Sequence, residues 1–438
     1  MQIVQQILFI ALAIAAVYFF WKKVTEMRRN ILLGRDEEIS DNKSQRWKNM
    51  VLLALGQKKM FKRPIPALLH LAVYAGFVII NVEILEIFID GVTGAHRIFA
   101  PPLGALYSFL VGFFEVLAVL VLLGCVVFLI RRNVLKIGRL NMPELNGWPR
   151  NDANLILVTE VVLMSLFLIM NTADLSLQQL GAEHYTHTES FWVTGHLTGM
   201  FSGMSAGALV AIERTCWWLH IIGVFLFLNY LPYSKHLHIL LAFPNAYYSK
   251  LVPQGEARNM KEIQNEVLYM MEPDKAPAAT AEAAAPPRFG AKDVQDLSWK
   301  NLLDAYSCTE CGRCSSVCPA NMTGKKLSPR KIMMDTRDRM EEVGRNITEN
   351  KEFKDDGKSL LHGYITVEEL RACTTCQACV EACPVMIDPL DIIMQLRRNL
   401  VMEESSAPGE WNLMFGNIEN NMAPWKFSPD DRDAWVNG

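Results

Sequence analysis

Five stretches of this chain are long and apolar enough to cross a bilayer: roughly residues 3–21, 66–89, 103–130, 155–170 with its flanks and 216–231 with its flanks. Lipid offers the backbone no hydrogen-bond partners, so apolar stretches of this length predict helices. The loops between them are unevenly charged. Residues 22–65 carry 12 Lys or Arg and residues 131–153 carry 5, whereas residues 90–102 carry only Arg97 and residues 174–210 carry none. The positive-inside rule then predicts an N-terminus outside and everything after the fifth span in the cytoplasm. Residues 191–212 are also apolar, but a sixth crossing there would leave almost no loop before the last span. An outer-face helix or re-entrant segment packed on the bundle is expected instead. Residues 47–60 predict a short amphipathic helix at the inner interface.

Eight of the ten cysteines lie in two runs near the C-terminus. The first is Cys308, Cys311, Cys314 and Cys318, followed by Pro319; the second is Cys373, Cys376, Cys379 and Cys383, followed by Pro384. Both read C-x₂-C-x₂-C-x₃-C-P, the spacing in which three thiolates hold one [4Fe–4S] cluster and the fourth crosses to another. This predicts Cys308, Cys311, Cys314 and Cys383 on one cluster, and Cys373, Cys376, Cys379 and Cys318 on the other. Zinc favours paired C-x₂-C halves, and disulfides need an oxidising compartment. Cys125 and Cys216 sit in apolar stretches and read as small buried hydrophobes.

The chain has 438 residues, 51% hydrophobic, with a net charge of −3, so nothing argues for nucleic acid. The expected fold class is all-α: a five-helix transmembrane bundle followed by a helical dicluster ferredoxin-like domain. The expected divisions are a membrane domain over 1–243, a cytoplasmic helix and linker over 244–298, a dicluster domain over 299–400 and a tail over 401–438. Residues 244–271 look helical and polar. Residues 273–290 are an Ala/Pro linker. Helices are expected to lead into each cysteine run at 299–306 and 366–372. Ser328-Pro329 and Asp388-Pro389 are expected to cap helices leading out. Residues 335–359 read as a solvated helix and loop. The tail holds Trp411, Trp425 and Trp435, either a docking element or packed back on the domain.

Histidines at bilayer depth form a second constellation. His70 lies one turn inside the second span and His220 in the fifth, with His236 and His238 at its cytoplasmic end. His220 and His238 are spaced to share one helix face if the helix continues past Pro232, with His236 pointing away. Stacked histidines suit b-type haem, each imidazole giving one axial ligand. His70 and His238 pair at the inner depth. His220 would need a partner such as His196 for a second, outer haem, or is a satisfied bundle histidine. Glu83, Glu86, Glu115 and Glu160 lie in spans, where ionisable groups are functional by default. Glu83, Glu86 and Glu115 are candidates for quinone or proton handling.

The segments ALGQKK, ALLHLAVYAGFVII and WWLHIIGVFLFLNYLPYSKHLHIL resemble the membrane part of the large iron–sulfur oxidoreductases related to heterodisulfide reductase. That part is similar to the cytochrome b (gamma) subunit of respiratory nitrate reductase, and the cysteine runs resemble the C-type ferredoxin of heterodisulfide reductase. The resemblance implies haem b on His70, His220 and His238, although the family's usual second-span histidine for an outer haem is missing. Longer relatives continue into CCG domains with the catalytic site, and no CCG triplet occurs here. The resemblance therefore implies a quinone-linked electron-transfer subunit of a bacterial cytoplasmic membrane. It would work with a CCG-domain iron–sulfur protein or a flavoprotein in the cytoplasm. The competing expectations are a membrane iron–sulfur assembly factor that reduces metals during oxidase maturation, and a passive membrane anchor.

Overall fold

The computed structural model describes residues 2–257, 259–276, 288–431 and 433–436. Five helices are long and apolar enough to cross a membrane: α1 (Gln2–Ile31), α2 (Pro64–Thr93), α3 (Ala105–Asn133), α4 (Trp148–Gln179) and α5 (Ala206–Tyr230). Proline opens α2, where its missing N–H is harmless, and Gly94 closes it at φ 75. The helices pack α2 on α3, α3 on α4 and α4 on α5, with α1 laid across α2 and α5. Small residues set the close approaches. A Cβ on Gly76 would lie 2.3 Å from the Val121 side chain, and one on Gly223 would lie 2.7 Å from Leu163. Phe9, Ile80, Phe114, Phe167, Trp217 and Ile221 fill the bundle core.

Four sequence expectations change here. The fifth span begins at Ala206, because the charged pair Glu213 and Arg214 lies within it. It then stops before Pro232, whose ring cannot continue a helix. His238 starts a separate helix, α6 (His238–Tyr247), so His220 and His238 do not share one helix face. Residues 194–201 form short 3₁₀ turns packed on α4, not a helix. Glu115 of α3 holds these turns. It accepts from the Val193 and Thr194 amides at 2.9 and 3.0 Å and from the Thr194 hydroxyl. The expected amphipathic helix is a helical turn (Lys43–Asn49), a π-helical turn (Met50–Leu55) and a 3₁₀ turn (Lys58–Lys62).

The C-terminal part is also helical: α7 (Trp299–Ser307), α8 (Pro329–Asn350), α9 (Val367–Ala372), α10 (Pro389–Met402) and α11 (Gly409–Asn421). Ser298, Ser328, Thr366 and Asp388 cap α7 to α10, each accepting a backbone N–H within the first turn. Among the described residues there is no strand, only isolated bridges, one joining Arg35 to Ser298. That bridge docks this part on the bundle. Asn30 Nδ2 donates to the Tyr306 hydroxyl at 3.2 Å and Arg29 to the Gly344 carbonyl at 2.8 Å. Residues 277–287 of the expected linker lie outside the described residues. The expected helix over 244–271 is two, α6 and Lys261–Met271.

Helix α8 is not the solvated helix its charges suggest. Ile332, Met340 and Val343 are buried, and the Arg339 side chain is fully buried. Its guanidinium meets Asp293 at 2.7 Å, Asp356 at 2.6 Å and Glu342 at 3.2 Å. Removing one partner from a buried ion network leaves uncompensated charge. Arg339→Met is therefore expected to cost about 3–5 kcal/mol, read as a lower Tm and earlier iron release on heating. An unchanged Tm would show that the network contributes nothing.

Candidate metal centre

The two cysteine runs are conformational copies. Cys308 ends α7 at φ −69, ψ 118 and Cys373 ends α9 at φ −71, ψ 126. The fourth members match as closely: Cys318 lies at φ −74, ψ 118 and Cys383 at φ −74, ψ 122. Each loop turns through left-handed residues, Glu310 and Gly312 in the first, Thr375 and Gln377 in the second. Glycine is needed at 312, since a Cβ there would lie 2.5 Å from Arg330 Nη1 and 2.7 Å from the Arg139 carbonyl.

Cys308, Cys311, Cys314, Cys379 and Cys383 line one cavity of about 380 Å³. Burial pushes the Cys308 thiol up to about 11. Burial and the neighbouring Cys311 push Cys383 up to about 12. Cys318 is an electrostatic neighbour of Cys373 and Cys379 instead. All eight thiols are free of disulfides. Among the described residues no three His, Cys, Asp or Glu side chains converge on a single-ion site. Eight thiols in two C-x₂-C-x₂-C-x₃-C runs, one set gathered around a single cavity, fit polynuclear iron–sulfur centres better than zinc.

The Cys308 loop sits on the bundle. Arg139 donates to the Cys311 carbonyl, and Lys235 bonds Glu310. Arg313 lies 3.4 Å from the Lys59 and Met60 carbonyls, and Arg63 donates to Ser316 Oγ at 3.0 Å.

Just inside that end of the bundle, the His70 and His238 ring centroids are 6.3 Å apart. His70 Nδ1 meets Gln57 Oε1 at 3.0 Å and His238 Nδ1 meets the Lys235 carbonyl at 3.1 Å. Both Nδ1 atoms are thus held, which favours neutral rings with Nε2 as the acceptor. His236, expected to point away, lies beside them, with its ring 5.6 Å from His238 and 5.3 Å from Phe227. Burial, with His238 and His70 adding to it, pushes His236 down to about 3. His220 Nδ1 meets the Leu163 carbonyl at 3.1 Å, and its ring packs near Phe167. His196 is exposed in the 3₁₀ turns.

A second cavity, about 750 Å³, opens at the other end of the bundle and is lined by Glu83, Glu86, His96, Arg97, Asp174 and Glu213 among others. Arg97 is buried and bonds Asp174 at 2.5 Å, the Tyr107 hydroxyl at 2.9 Å and Asn171 at 3.0 Å. Tyr107 donates to Glu86 at 2.6 Å. His96 uses both ring nitrogens, on Asp174 and on the Thr186 amide. Glu83 Oε2 is buried without a partner among the described residues. Glu115 is occupied with the 3₁₀ turns and does not line this cavity. Sequence reasoning missed Arg97, Asp174 and Glu213. The available signal was an arginine standing as the lone Lys or Arg of its loop.

Comparison with known proteins adds relatives. A 4Fe-4S dicluster domain family matches residues 307–387, and a second 4Fe-4S dicluster family matches residues 264–323. The chain is homologous to the iron–sulfur oxidoreductases and heterodisulfide reductase subunits. It is 27% identical to the probable iron-sulfur-binding oxidoreductase FadF of Bacillus subtilis, over 99% of this chain and 61% of the relative. It is 28% identical to the EtfAB:quinone oxidoreductase of Syntrophomonas wolfei, over 96% and 57%. A probable membrane-anchored ferredoxin of Chromohalobacter salexigens is 35% identical over 35% of this chain and 25% of its own. The chain thus spans about three-fifths of the length of the first two relatives. No solved structure matches it. The chain thus joins five helices long and apolar enough to cross a membrane to a 4Fe-4S dicluster region.

Proposed function

We propose that this chain is a quinone-linked electron-transfer subunit of a bacterial cytoplasmic membrane. In this reading residues 1–243 form the membrane domain, 244–298 the connection, 299–400 the dicluster domain and 401–438 a docking tail. The observation that carries it is the seating of the Cys308 loop directly on the end of the bundle that holds His70 and His238. Cys308, Cys311, Cys314 and Cys383 hold one [4Fe–4S] cluster, and Cys373, Cys376, Cys379 and Cys318 hold the second. When bound, these groups and a haem b each accept and release one electron at a time.

His70 and His238 fit as axial ligands of that haem. Their ring centroids lie 6.3 Å apart, so the pair would hold one haem iron and supply its two imidazole ligands. Gln57 and the Lys235 carbonyl fix the rings through Nδ1, the usual way a ligating histidine is oriented. His220 keeps an Nε2 to offer, but no second imidazole lies against its ring among the described residues. One haem is therefore assigned. His96 is excluded as a ligand by its two nitrogen partners.

The quinone is assigned to the 750 Å³ cavity at the outer end. Glu83 and Glu86 exchange protons with it there, Glu86 through its bond to Tyr107. Glu115 is assigned to holding the 3₁₀ turns. The soluble chemistry is assigned to a cytoplasmic partner, a CCG-domain iron–sulfur protein or a flavoprotein. The relative from S. wolfei, named for EtfAB and quinone, supports the flavoprotein. Orientation follows the charged loops, which share the end on which the cysteine part docks.

The test is to reduce the purified protein chemically and then add a soluble quinone. Rapid reoxidation of both iron–sulfur and b-type absorbance is expected. A protein with clusters but no haem absorbance favours the assembly-factor reading instead. Glu83→Gln is expected to slow quinone-dependent reoxidation at least tenfold, roughly the effect of a proton-transfer group, with both absorbances intact. Equal rates for variant and parent would place the proton route elsewhere.

A further inference from the structure

We propose that Arg63, Arg139 and Arg313 raise the potential of the Cys308 site above that of the Cys373 site. The first is then the membrane-side station and the second the port for the cytoplasmic carrier. The proposal rests on the two-cluster reading above.

The two cysteine groups sit differently. The Cys308 group is enclosed by loops of the bundle: residues 58–63 through Lys59, Arg63 and Arg313, and residue 139 through the Cys311 carbonyl. Asn245 of α6 closes the far side through the Val385 carbonyl at 2.8 Å. The Cys373 group is held at its start by Arg397 of α10 donating to the Cys373 carbonyl at 2.5 Å, and outside contacts reach its later residues, Lys59 at the Val380 carbonyl, Gln254 at Glu381 and the Gly255 amide at Gln377. Its Cys376 is the exposed cysteine of the eight, and Thr374 and Thr375 beside it are exposed too. Arg371 and Trp411 stack 5.7 Å apart on the edge of this face. One group therefore faces the bundle and the other faces solvent.

Their charges differ as well. Among the described residues the partners of Arg63, Arg139 and Arg313 are carbonyls and a hydroxyl, not carboxylates. The acids nearby are already answered, Glu310 by Lys235 and Arg337 and Glu144 by Arg330. The Cys373 group has a single arginine, Arg397, at the Cys373 carbonyl, and Asp388, which acts on Cys379, is paired with Lys250 at 2.8 Å. A cluster gains negative charge on reduction, so uncancelled cations in a dry site favour its reduced form. Water at Cys376 acts in the same sense on the other site, but through one ligand and in a medium that screens.

Transfer between the two clusters makes and breaks no bonds. A reduced one-electron carrier in the cytoplasm, a flavin semiquinone for example, is oxidised by one electron at the Cys376 face. Two such electrons, passed inward, and two protons convert the quinone to quinol.

The test is a redox titration of the full chain followed by electron paramagnetic resonance, with iron content as the check on assembly. Two midpoints are expected. Arg139→Gln and Arg313→Gln should lower only the higher one, Arg139→Lys should restore it, and Arg397→Gln should lower only the other. If Arg139→Gln loses iron, Arg63→Gln carries the same test. Arg139 or Arg313 variants that move the lower midpoint, both together or neither overturn the proposal, and so does an Arg397→Gln that moves the higher one. A parent protein without two cluster signals overturns the two-cluster reading and this proposal with it.

Discussion

Cys318→Ser is expected to disable the site built on Cys373, Cys376 and Cys379 while sparing the one built on Cys308, Cys311 and Cys314. Cys318 leaves its loop in an extended conformation, and Pro319 starts a new helical turn behind it. Cys383 leaves its loop with almost the same angles. Two copies with the same exit each send their last thiol toward the other copy. The neighbours agree, since Cys383 lies by Cys308 and Cys311 while Cys318 lies by Cys373 and Cys379. A serine oxygen is a harder and poorer ligand for iron than thiolate. Iron content should fall toward half, and the paramagnetic signal of one cluster should vanish or broaden. Cys383→Ser should affect the complementary signal. If Cys318→Ser alters only the Cys308 signal, each run holds its own cluster and the exchange is wrong.

What the sequence made legible follows from local chemistry. The cysteine duplication, its caps at Ser328, Thr366 and Asp388, and four of the span boundaries depend on residues close together in the chain. The start of α5 was hidden because Glu213 and Arg214 lower local hydropathy. In the fold they pair with each other and Glu213 also accepts from Tyr185, so their charge does not face lipid. The stop at Pro232 is visible in the sequence, whereas a face shared by His220 and His238 requires a helix continuing past it. The pairing geometry of His70 and His238 comes instead from α6 turning back, which a one-dimensional spacing cannot reveal. Arg97 meeting Asp174, and Gln57 meeting His70, are partnerships across loops. Helix α8 looked solvated because its charges outnumber its apolar residues, yet its most basic buried group, Arg339, is satisfied by acids from distant turns.

His70→Ala and His238→Ala are each expected to remove the same b-type haem, completely and with no further loss in the double variant. One iron held between two imidazoles cannot keep a six-coordinate spectrum with one of them gone. The two rings come from different elements, α2 and the start of α6, and meet only because the turns at 231–237 fold that helix back toward Gln57 and His70. Each ring is anchored at Nδ1, so neither swings away to find another partner. His236 is the near neighbour that tests specificity. Its ring lies 5.6 Å from His238, and its Nε2 is buried without a partner among the described residues. His236→Ala should leave the haem in place, and so should His220→Ala, since His220 Nδ1 is tied to the Leu163 carbonyl in the middle of α4. Haem absorbance per polypeptide, measured for all four single variants, decides the matter. Loss in His236→Ala with retention in His238→Ala would move the ligand by two residues. Retention in both His70→Ala and His238→Ala would remove haem from this end of the bundle, and with it the relay between the Cys308 site and the membrane.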